Sequence, residues 1–249
     1  TKGEWCVEKV AGVDEDRGLV YFIGTKETVL ERHLYAARLD GSRAGDPVKI
    51  TSRSGEHKID FSRDCSVYVD RFSDLDTPPQ VSLHRADGSL ITWLEENALA
   101  PGHPYHPYAD SHSKAEFGTI EAGDGQALYY NIIKPVPFEP GRKYPVFIDC
   151  YGGPRGQSVK KSWSGVWSLY HQYLARNGYV VFELDNRGTG HRGREFDDPI
   201  YGQLGKVEVE DQAAGARFLR TLPYVDPGRI GIFGWSYGGY MAVMAMAKE

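Results

Sequence analysis

Short runs of β-prone residues, separated by turn signals, fill the first hundred residues. The clearest runs cover residues 19–23, 33–39, 67–69 and 80–85. Asp-Gly turns follow the second and the fourth runs, and such turns between β-prone segments are strong hairpin signals. The pattern therefore predicts an antiparallel, all-β region over residues 1–100.

This region contains a repeat with an offset of 47 residues. Val20-Tyr21 returns as Val67-Tyr68, and Asp40-Gly41 returns as Asp87-Gly88. Repeats of roughly 40–50 residues are typical of β-propeller blades. Two blades cannot close a propeller, so we expect residues 1–100 to be the last blades of one. An ordinary antiparallel sheet is the alternative.

A segment rich in proline and small residues follows, and it predicts a linker over residues 101–115. It contains His103, His106 and His112. No carboxylate or cysteine is spaced with them as a metal site requires, so we expect no metal there.

From residue 116 the pattern changes to alternating strands and helices. We predict a hairpin of residues 117–121 and 128–134, buried strands at 144–150, 179–184 and 230–235, and helices at 167–176 and 207–222. A hairpin followed by buried strands with crossover helices is an α/β layer architecture. Residues 116–249 are therefore predicted to form an α/β domain.

The last predicted strand runs directly into Gly234-Trp235-Ser236-Tyr237-Gly238, after which helix formers follow. This is the G-x-S-x-G nucleophile elbow in its required strand-to-helix context. Its tight turn leaves no room for side chains at the two glycines, and the helix N-terminus points free N–H groups at the serine. We therefore predict an α/β-hydrolase with Ser236 as nucleophile.

Acyl transfer also needs hydrogen-bond donors for the oxyanion of its tetrahedral intermediate. One donor is expected from the N–H of Tyr237, the residue after the nucleophile. Tyr151 follows the first buried strand, where the second donor belongs, and its phenol O–H could take that role. The position of Tyr151 in the sequence is equally consistent with a side chain that only packs against its neighbours.

A competing motif, G-x-G-x-x-G, occurs at residues 188–193 and suggests a dinucleotide site. It follows a later strand and does not open an apolar helix, so we favour a structural loop anchored by ion pairs of Arg187. The pair Glu95-Glu96 could grip a cation, but a solvated surface pair fits its position better.

The chain offers no base for Ser236. Neither His nor Asp follows the serine, although α/β-hydrolases place both after it. His171 and His191 precede it in the wrong part of the sheet order, and Lys248 lies too far along the helix. We therefore expect the chain to lack the rest of this domain, which would leave the nucleophile strand at an open sheet edge.

The composition of the chain further narrows the functions and partners that it can have. The 249 residues are 41% hydrophobic and 25% charged, with a net charge of −5 and a pI near 5.9. This acidity argues against nucleic-acid partners, and no run approaches the ~18 apolar residues of a membrane span. Cys6, Cys65 and Cys150 suggest neither a disulfide framework nor a zinc site.

Several motifs together point to one known family. They are the elbow extended to Tyr240, Tyr144-Pro145 with Tyr151-Gly152-Gly153-Pro154, Asp185-Asn186-Arg187-Gly188-Thr189-Gly190, Glu208-Val209-Glu210-Asp211-Gln212 and the start Thr1-Lys2-Gly3-Glu4-Trp5, which is similar to a propeller blade. Through these motifs, which span essentially the whole chain, the sequence resembles the prolyl oligopeptidase family, and Trp235 before the serine points to its dipeptidyl peptidase IV branch.

The resemblance implies a serine peptidase that releases N-terminal dipeptides with Pro or Ala second, through an acyl-enzyme on Ser236. Tyr151 would donate its O–H to the oxyanion, and Tyr237 would donate its N–H and wall the proline pocket. It implies no cofactor or metal, peptide substrates with a free N-terminus, a homodimer, and a cell-envelope or secreted location.

The family's triad Asp and His, its later pocket aromatics and its propeller Glu-Glu pair are absent, and Glu95-Glu96 is not that pair. Two other hypotheses about the function stay open. One is an acylaminoacyl- or oligopeptidase of the same family, and the other is a non-catalytic homologue that acts as a binding module.

Overall fold

The computed structural model describes residues 5–41 and 47–248. Thr1–Glu4, which open the blade-like start, and Glu249 lie outside the described residues. The chain divides into two compact units, namely Thr1–Ala109 with Lys160–Trp163 and Asp110–Val159 with Ser164–Glu249.

The first unit contains two four-stranded antiparallel sheets, in which each strand pairs with the next along the chain. The strands are β1 (Val7–Asp14), β2 (Leu19–Gly24), β3 (His33–Arg38) and β4 (Val48–Lys49) in one sheet, and β5 (Glu56–Phe61), β6 (Val67–Ser73), β7 (Gln80–Arg85) and β8 (Leu90–Glu95) in the other. One helical turn, α1 (His106–Ala109), follows within the predicted linker.

The two sheets bear out the repeat found in the sequence. Strand β7 lies 47 residues after β3 at both of its ends. The turns after them place Gly41 and Gly88 at φ 69° and 93°, values that glycine adopts readily. Two successive four-stranded meanders are β-propeller blades.

A shared apolar core joins the two blades. Tyr21 and Leu34 from the first blade are buried with Ile59 and Tyr68 from the second. A backbone bridge between Arg32 and Glu56 adds a direct link between the sheets. The blades thus stabilise each other, as neighbouring blades of a propeller do.

Glu31 is the centre of a buried polar cluster in this unit. Its carboxylate accepts hydrogen bonds from Lys161 Nζ (2.7 Å) and Ser54 Oγ (2.5 Å) and contacts His33 Nε2 (2.8 Å). Burial acts to raise the pKa of Glu31, but these three partners outweigh it and lower the pKa to about 2. The ionised carboxylate is therefore stabilised by folding.

We expect Glu31→Gln to weaken the acid dependence of this unit's stability. The pKa of Glu31 is lower in the folded chain than its ordinary value of 4.5, so its contribution is complete above pH 4.5 and is lost as the pH falls toward 2. Thermal unfolding between pH 7 and 2.5 should show a variant deficit that shrinks with acidity. Glu27→Gln, at an exposed pair with Lys49 (3.9 Å), is the control and should show little deficit. A deficit for Glu31→Gln that is independent of pH would contradict this account.

The second unit is built on a five-stranded mixed sheet with the order β13-β11-β12-β10-β9. Its elements are β9 (Ala115–Glu121), β10 (Ala127–Ile133), β11 (Tyr144–Asp149), α2 (Val166–Arg176), β12 (Val180–Leu184), α3 (Arg194–Asp197), a 3-10 turn (Asp198–Ile200), α4 (Val207–Thr221), β13 (Val225–Phe233) and α5 (Tyr237–Lys248). Strand β11 runs parallel to β12 and β13, whereas β10 is antiparallel to β12 and β9.

Both faces of this sheet are covered by helices. Val146, Ile148 and Phe182 point into the larger core with α4 and α5, while Val181 faces α2 through Leu174. Alternate residues of each strand serve the two faces, as the period of two requires. The carboxyl ends of β11, β12 and β13 therefore meet at one edge of the sheet, and this start of an α/β-hydrolase matches the predicted architecture.

Strand β13 is the outermost strand of the sheet and, among the described residues, pairs only with β11. The sequence pattern placed its start at residue 230, but pairing begins at Val225, which lies opposite Tyr144. Within residues 5–41 and 47–248, no helix has the length and apolar character needed to span a bilayer.

Candidate active site

Ser236 occupies a strained turn between β13 and α5. Its φ of 56° lies in the left-handed region, which L-residues other than glycine rarely adopt. A Cβ on Gly234 would lie 2.3 Å from the carbonyl oxygen of Cys150, and one on Gly238 would lie 2.0 Å from it. Glycine is therefore required on both sides of the serine, as the elbow motif predicts.

The turn leaves Ser236 exposed at the start of a helix. The N–H of Gly239 donates to the Ser236 carbonyl (3.0 Å), and the N–H of Gly238 donates to the Trp235 carbonyl (2.9 Å). These bonds close the first turn of α5, whose leading N–H groups, including that of Tyr237, have no partner within the helix. A negatively charged oxygen beside Ser236 would face the positive end of this helix.

Tyr151 lies next to the elbow, two residues beyond the end of β11. Its ring centre is 6.3 Å from that of Tyr237, and the residue is 40% exposed, so its hydroxyl can reach a ligand. A Cβ on Gly156 would lie 2.2 Å from the ring, and one on Gly153 would lie 2.9 Å from it. The two glycines thus let the backbone pack closely against the Tyr151 ring.

Tyr237 is held by a buried acid that the sequence analysis did not assign to the site. Its hydroxyl donates to Glu208 Oε1 (2.7 Å), and Glu208 also accepts the N–H groups of Gly205 and Lys206. Burial and the Glu208 carboxylate raise the pKa of Tyr237, so its phenol stays protonated. In the sequence, Glu208 is marked only as the first residue of the segment that resembles a helix of the family. An acid in the first turn of a helix is common for electrostatic reasons, so its presence there does not indicate a contact with the active site.

The loop after β12 supports the loop that carries Tyr151. Asp185 accepts hydrogen bonds from the N–H groups of Ser158 (2.8 Å) and Val159 (3.2 Å). Asn186 donates through Nδ2 to the Gly152 carbonyl (3.1 Å). Backbone groups that follow Tyr151 in its loop are therefore fixed by side chains that follow the neighbouring strand β12.

Arg187 anchors this loop through ion pairs, as predicted. Its guanidinium contacts Asp211 (2.6 Å) and Asp124 (2.9 Å), and its backbone N–H also donates to Asp211 (2.9 Å). A Cβ on Gly188 would lie 2.4 Å from Ile200, and one on Gly190 would lie 2.8 Å from the Arg155 carbonyl. Close packing thus accounts for the first two glycines of the G-x-G-x-x-G motif.

The basic residues considered as partners of Ser236 are engaged elsewhere or held in loops. His171 is buried on α2 and contacts Asp149 through Nε2 (2.7 Å). Lys248 Nζ donates to the Gly205 carbonyl, and His191 sits in the loop before α3 at φ 74°. The contacts of His171 and Lys248 thus engage both side chains with groups other than Ser236.

Neither surface motif considered as a cation site gains support. The ring nitrogens of His103 contact Asn97 Oδ1 (3.0 Å) and the N–H of Tyr105 (3.0 Å). Glu95 and Glu96 are exposed, as a surface pair should be. Among the described residues, the group that could present three metal ligands is instead Asp149, His171 and Glu183.

Comparisons with known proteins find matches to both parts of the chain. Residues 1–79 match the family model for the dipeptidyl peptidase IV N-terminal region, and residues 166–249 match that for the prolyl oligopeptidase family. Dipeptidyl peptidase 8 of Mus musculus is 36% identical over the whole chain, and that of Homo sapiens is 35% identical. The chain spans 28% of the length of either relative.

A solved structure shows the same fold. The crystal structure of Porphyromonas gingivalis dipeptidyl peptidase 4 superposes with a TM-score of 0.89 at 37% sequence identity. The match covers 100% of this chain and 34% of that one. With both family models matched in the expected order, the chain belongs to the prolyl oligopeptidase family, in its dipeptidyl peptidase IV branch.

Proposed function

We propose that the protein is a serine peptidase that releases N-terminal dipeptides with Pro, or less readily Ala, at the second position. The observation that carries this proposal is the exposed Ser236 in its strained elbow beside Tyr151. The names of the relatives support the dipeptidyl activity.

In this proposal Ser236 Oγ attacks the carbonyl carbon of the second residue, while a general base takes the serine proton. The triad His that the family resemblance implies would supply that base. The carbonyl oxygen becomes an oxyanion that accepts hydrogen bonds from the Tyr151 O–H and the Tyr237 N–H. The amine of the remaining peptide then leaves with the proton, and water later releases the dipeptide from the Ser236 ester.

The placement of the two tyrosine side chains suits these roles. Glu208 fixes the Tyr237 hydroxyl, so the ring of Tyr237 can serve as a rigid wall for a prolyl ring. Close packing against Gly153 and Gly156 limits the positions open to the Tyr151 ring. Pre-organised donors stabilise an oxyanion better than mobile ones because they need no reorientation during the reaction.

Peptides with a free N-terminus are the proposed partners, and a homodimer is the proposed assembly.

Two measurements on the full-length protein test this function. We expect hydrolysis of a Gly-Pro chromogenic substrate and at least ~100-fold slower hydrolysis of its N-acetylated form, a difference of about 2.7 kcal/mol that a buried amine contact can supply. A fluorophosphonate probe should form an adduct that peptide mapping places on Ser236. Equal rates with the two substrates would reject the dipeptidyl activity, and faster chromogen release from the acetylated substrate would favour an oligopeptidase, which cleaves after proline without needing a free N-terminus. Absence of both turnover and adduct would favour a non-catalytic homologue.

We expect Tyr151→Phe to lower kcat by on the order of 10²–10³ with a smaller change in KM. The hydroxyl is proposed to bond the oxyanion, which exists only after attack, so its loss should raise the barrier more than it weakens substrate binding. The exposed Tyr179→Phe change is a control with an identical loss of one oxygen. A Tyr151→Phe enzyme with unchanged kcat would return Tyr151 to a packing role.

A further inference from the structure

A buried polar cluster lies on the α2 side of the second unit's sheet, and the proposed mechanism does not use it. His171 from α2 contacts Asp149 Oδ2 through Nε2 (2.7 Å), and its Nδ1 lies 4.0 Å from Glu183 Oε2. Glu183 also accepts a hydrogen bond from Asn131 Nδ2 (2.7 Å). The side chain of His171 is only 6% exposed, so the cluster is largely shielded from water.

The two acids occupy strand ends that lead into the active-site loops. Asp149 is the last residue of β11 and precedes Tyr151 by two residues. Glu183 precedes Asp185 by two residues, and Asp185 holds the backbone of Ser158 in the loop after Tyr151. One imidazole therefore links the starts of both loops that surround Tyr151.

The charges of the cluster favour a protonated imidazole. Burial works against the charged form, but the hydrogen bond with Asp149 and the nearby carboxylate of Glu183 outweigh it and raise the pKa of His171. An imidazolium between these two half-buried carboxylates offsets their negative charge. The side chain is thus suited to hold the ends of β11 and β12 at a fixed separation.

We propose that His171 is a positioning residue that fixes the oxyanion loop by bridging Asp149 and Glu183. It touches no substrate and acts through the placement of Tyr151. This inference rests on the proposed function, because its effect is expressed in the rate of acyl transfer. A displacement of about 1 Å at a catalytic group can cost on the order of 10² in rate.

The first test compares three variants of the full-length enzyme. His171→Leu should lower kcat by about 10–100-fold with KM within about twofold, since substrate contacts are retained. His171→Gln keeps an N–H donor for Asp149 and should recover part of this loss. Leu174→Ala, on the same helix and facing the same side of the sheet, is the control that lowers the unfolding temperature without touching Asp149. If kcat follows only the unfolding temperature across the three variants, the role of His171 is merely structural and the proposal is wrong.

A double-mutant cycle with Tyr151→Phe tests the route of the effect. If His171 acts through the Tyr151 hydroxyl, His171→Leu should cost less than about threefold in kcat once that hydroxyl is gone. If the double variant instead loses kcat by the product of the two single-variant factors, the two residues act independently and the proposal is wrong. If wild-type kcat falls on dialysis against EDTA and returns with Zn²⁺ or Mn²⁺, a metal held by Asp149, His171 and Glu183 does the positioning, and the proposal is again wrong. Failure of the proposed function is distinguishable, because the wild type itself would then show no turnover.

Discussion

Replacing Ser236 with alanine is expected to lower kcat by on the order of 10⁶, the scale of loss seen when the nucleophile of a serine peptidase is removed. The expectation follows from the elbow, where the strained backbone presents the Ser236 hydroxyl at the positive end of α5. Alanine fits the same turn, because the crowding there concerns the neighbouring glycines and not the serine side chain. The loss should therefore reflect missing chemistry and not misfolding.

Ser164→Ala is the matched control, since Ser164 is an exposed serine of the same unit. This control should keep wild-type turnover and fluorophosphonate labelling, whereas Ser236→Ala should lose both. Unfolding temperatures of the two variants should agree with that of the wild type. Covalent labelling that persists in Ser236→Ala would show that another residue is the nucleophile and would remove the basis of the proposed mechanism.

Local patterns were sufficient to predict the elements that surround Ser236. Elbow, strand and helix are contiguous in sequence, so the steric need for Gly234 and Gly238 can be read without knowledge of the fold. The same holds for the blade turns, where Asp-Gly recurs at a constant offset. Strand β7 was predicted with its observed bounds for this reason.

Strands β1, β5 and β8 could not be predicted from the same kind of pattern. Strand β8 is exposed along its whole length, and β1 carries charged residues among its apolar ones. Their strand conformation comes from pairing with neighbours already in the blade, which is a tertiary effect. Propensity alone is a weak guide for such edge positions.

The supporting contacts of the site were also beyond sequence reasoning. Glu208 and Tyr237 are 29 residues apart, and Asp149 and His171 are 22 residues apart. Each of these side chains would be ordinary at a surface position, and only the fold buries them beside a partner. The sequence could name the residues proposed for the chemistry but not those that hold them in place.

The contact of Arg187 with Asp211 yields the largest expected effect on stability. Asp211 is 1% exposed and accepts three hydrogen bonds from the Arg187 guanidinium and a fourth from its backbone N–H. These bonds raise the pKa of Arg187 further above its already high value, so the guanidinium is charged under all ordinary conditions. Asp211→Asn would leave that charge buried, and the acid that still pairs with it among the described residues would be the more exposed Asp124.

We expect Asp211→Asn to lower the free energy of unfolding by on the order of 3–5 kcal/mol, because a buried charge that loses its buried counter-ion is far more costly than a lost surface pair. Asp226→Asn is the control, since Asp226 pairs with Arg229 at the same distance of 2.6 Å but in solvent, where such pairs contribute little. The double variant Arg187→Met with Asp211→Asn removes the stranded charge and should be more stable than Asp211→Asn alone. Urea unfolding of the full-length protein measures all three. Equal losses for the two single variants would show that burial does not amplify the Arg187–Asp211 pair, and the loop beside Tyr151 would then need another anchor.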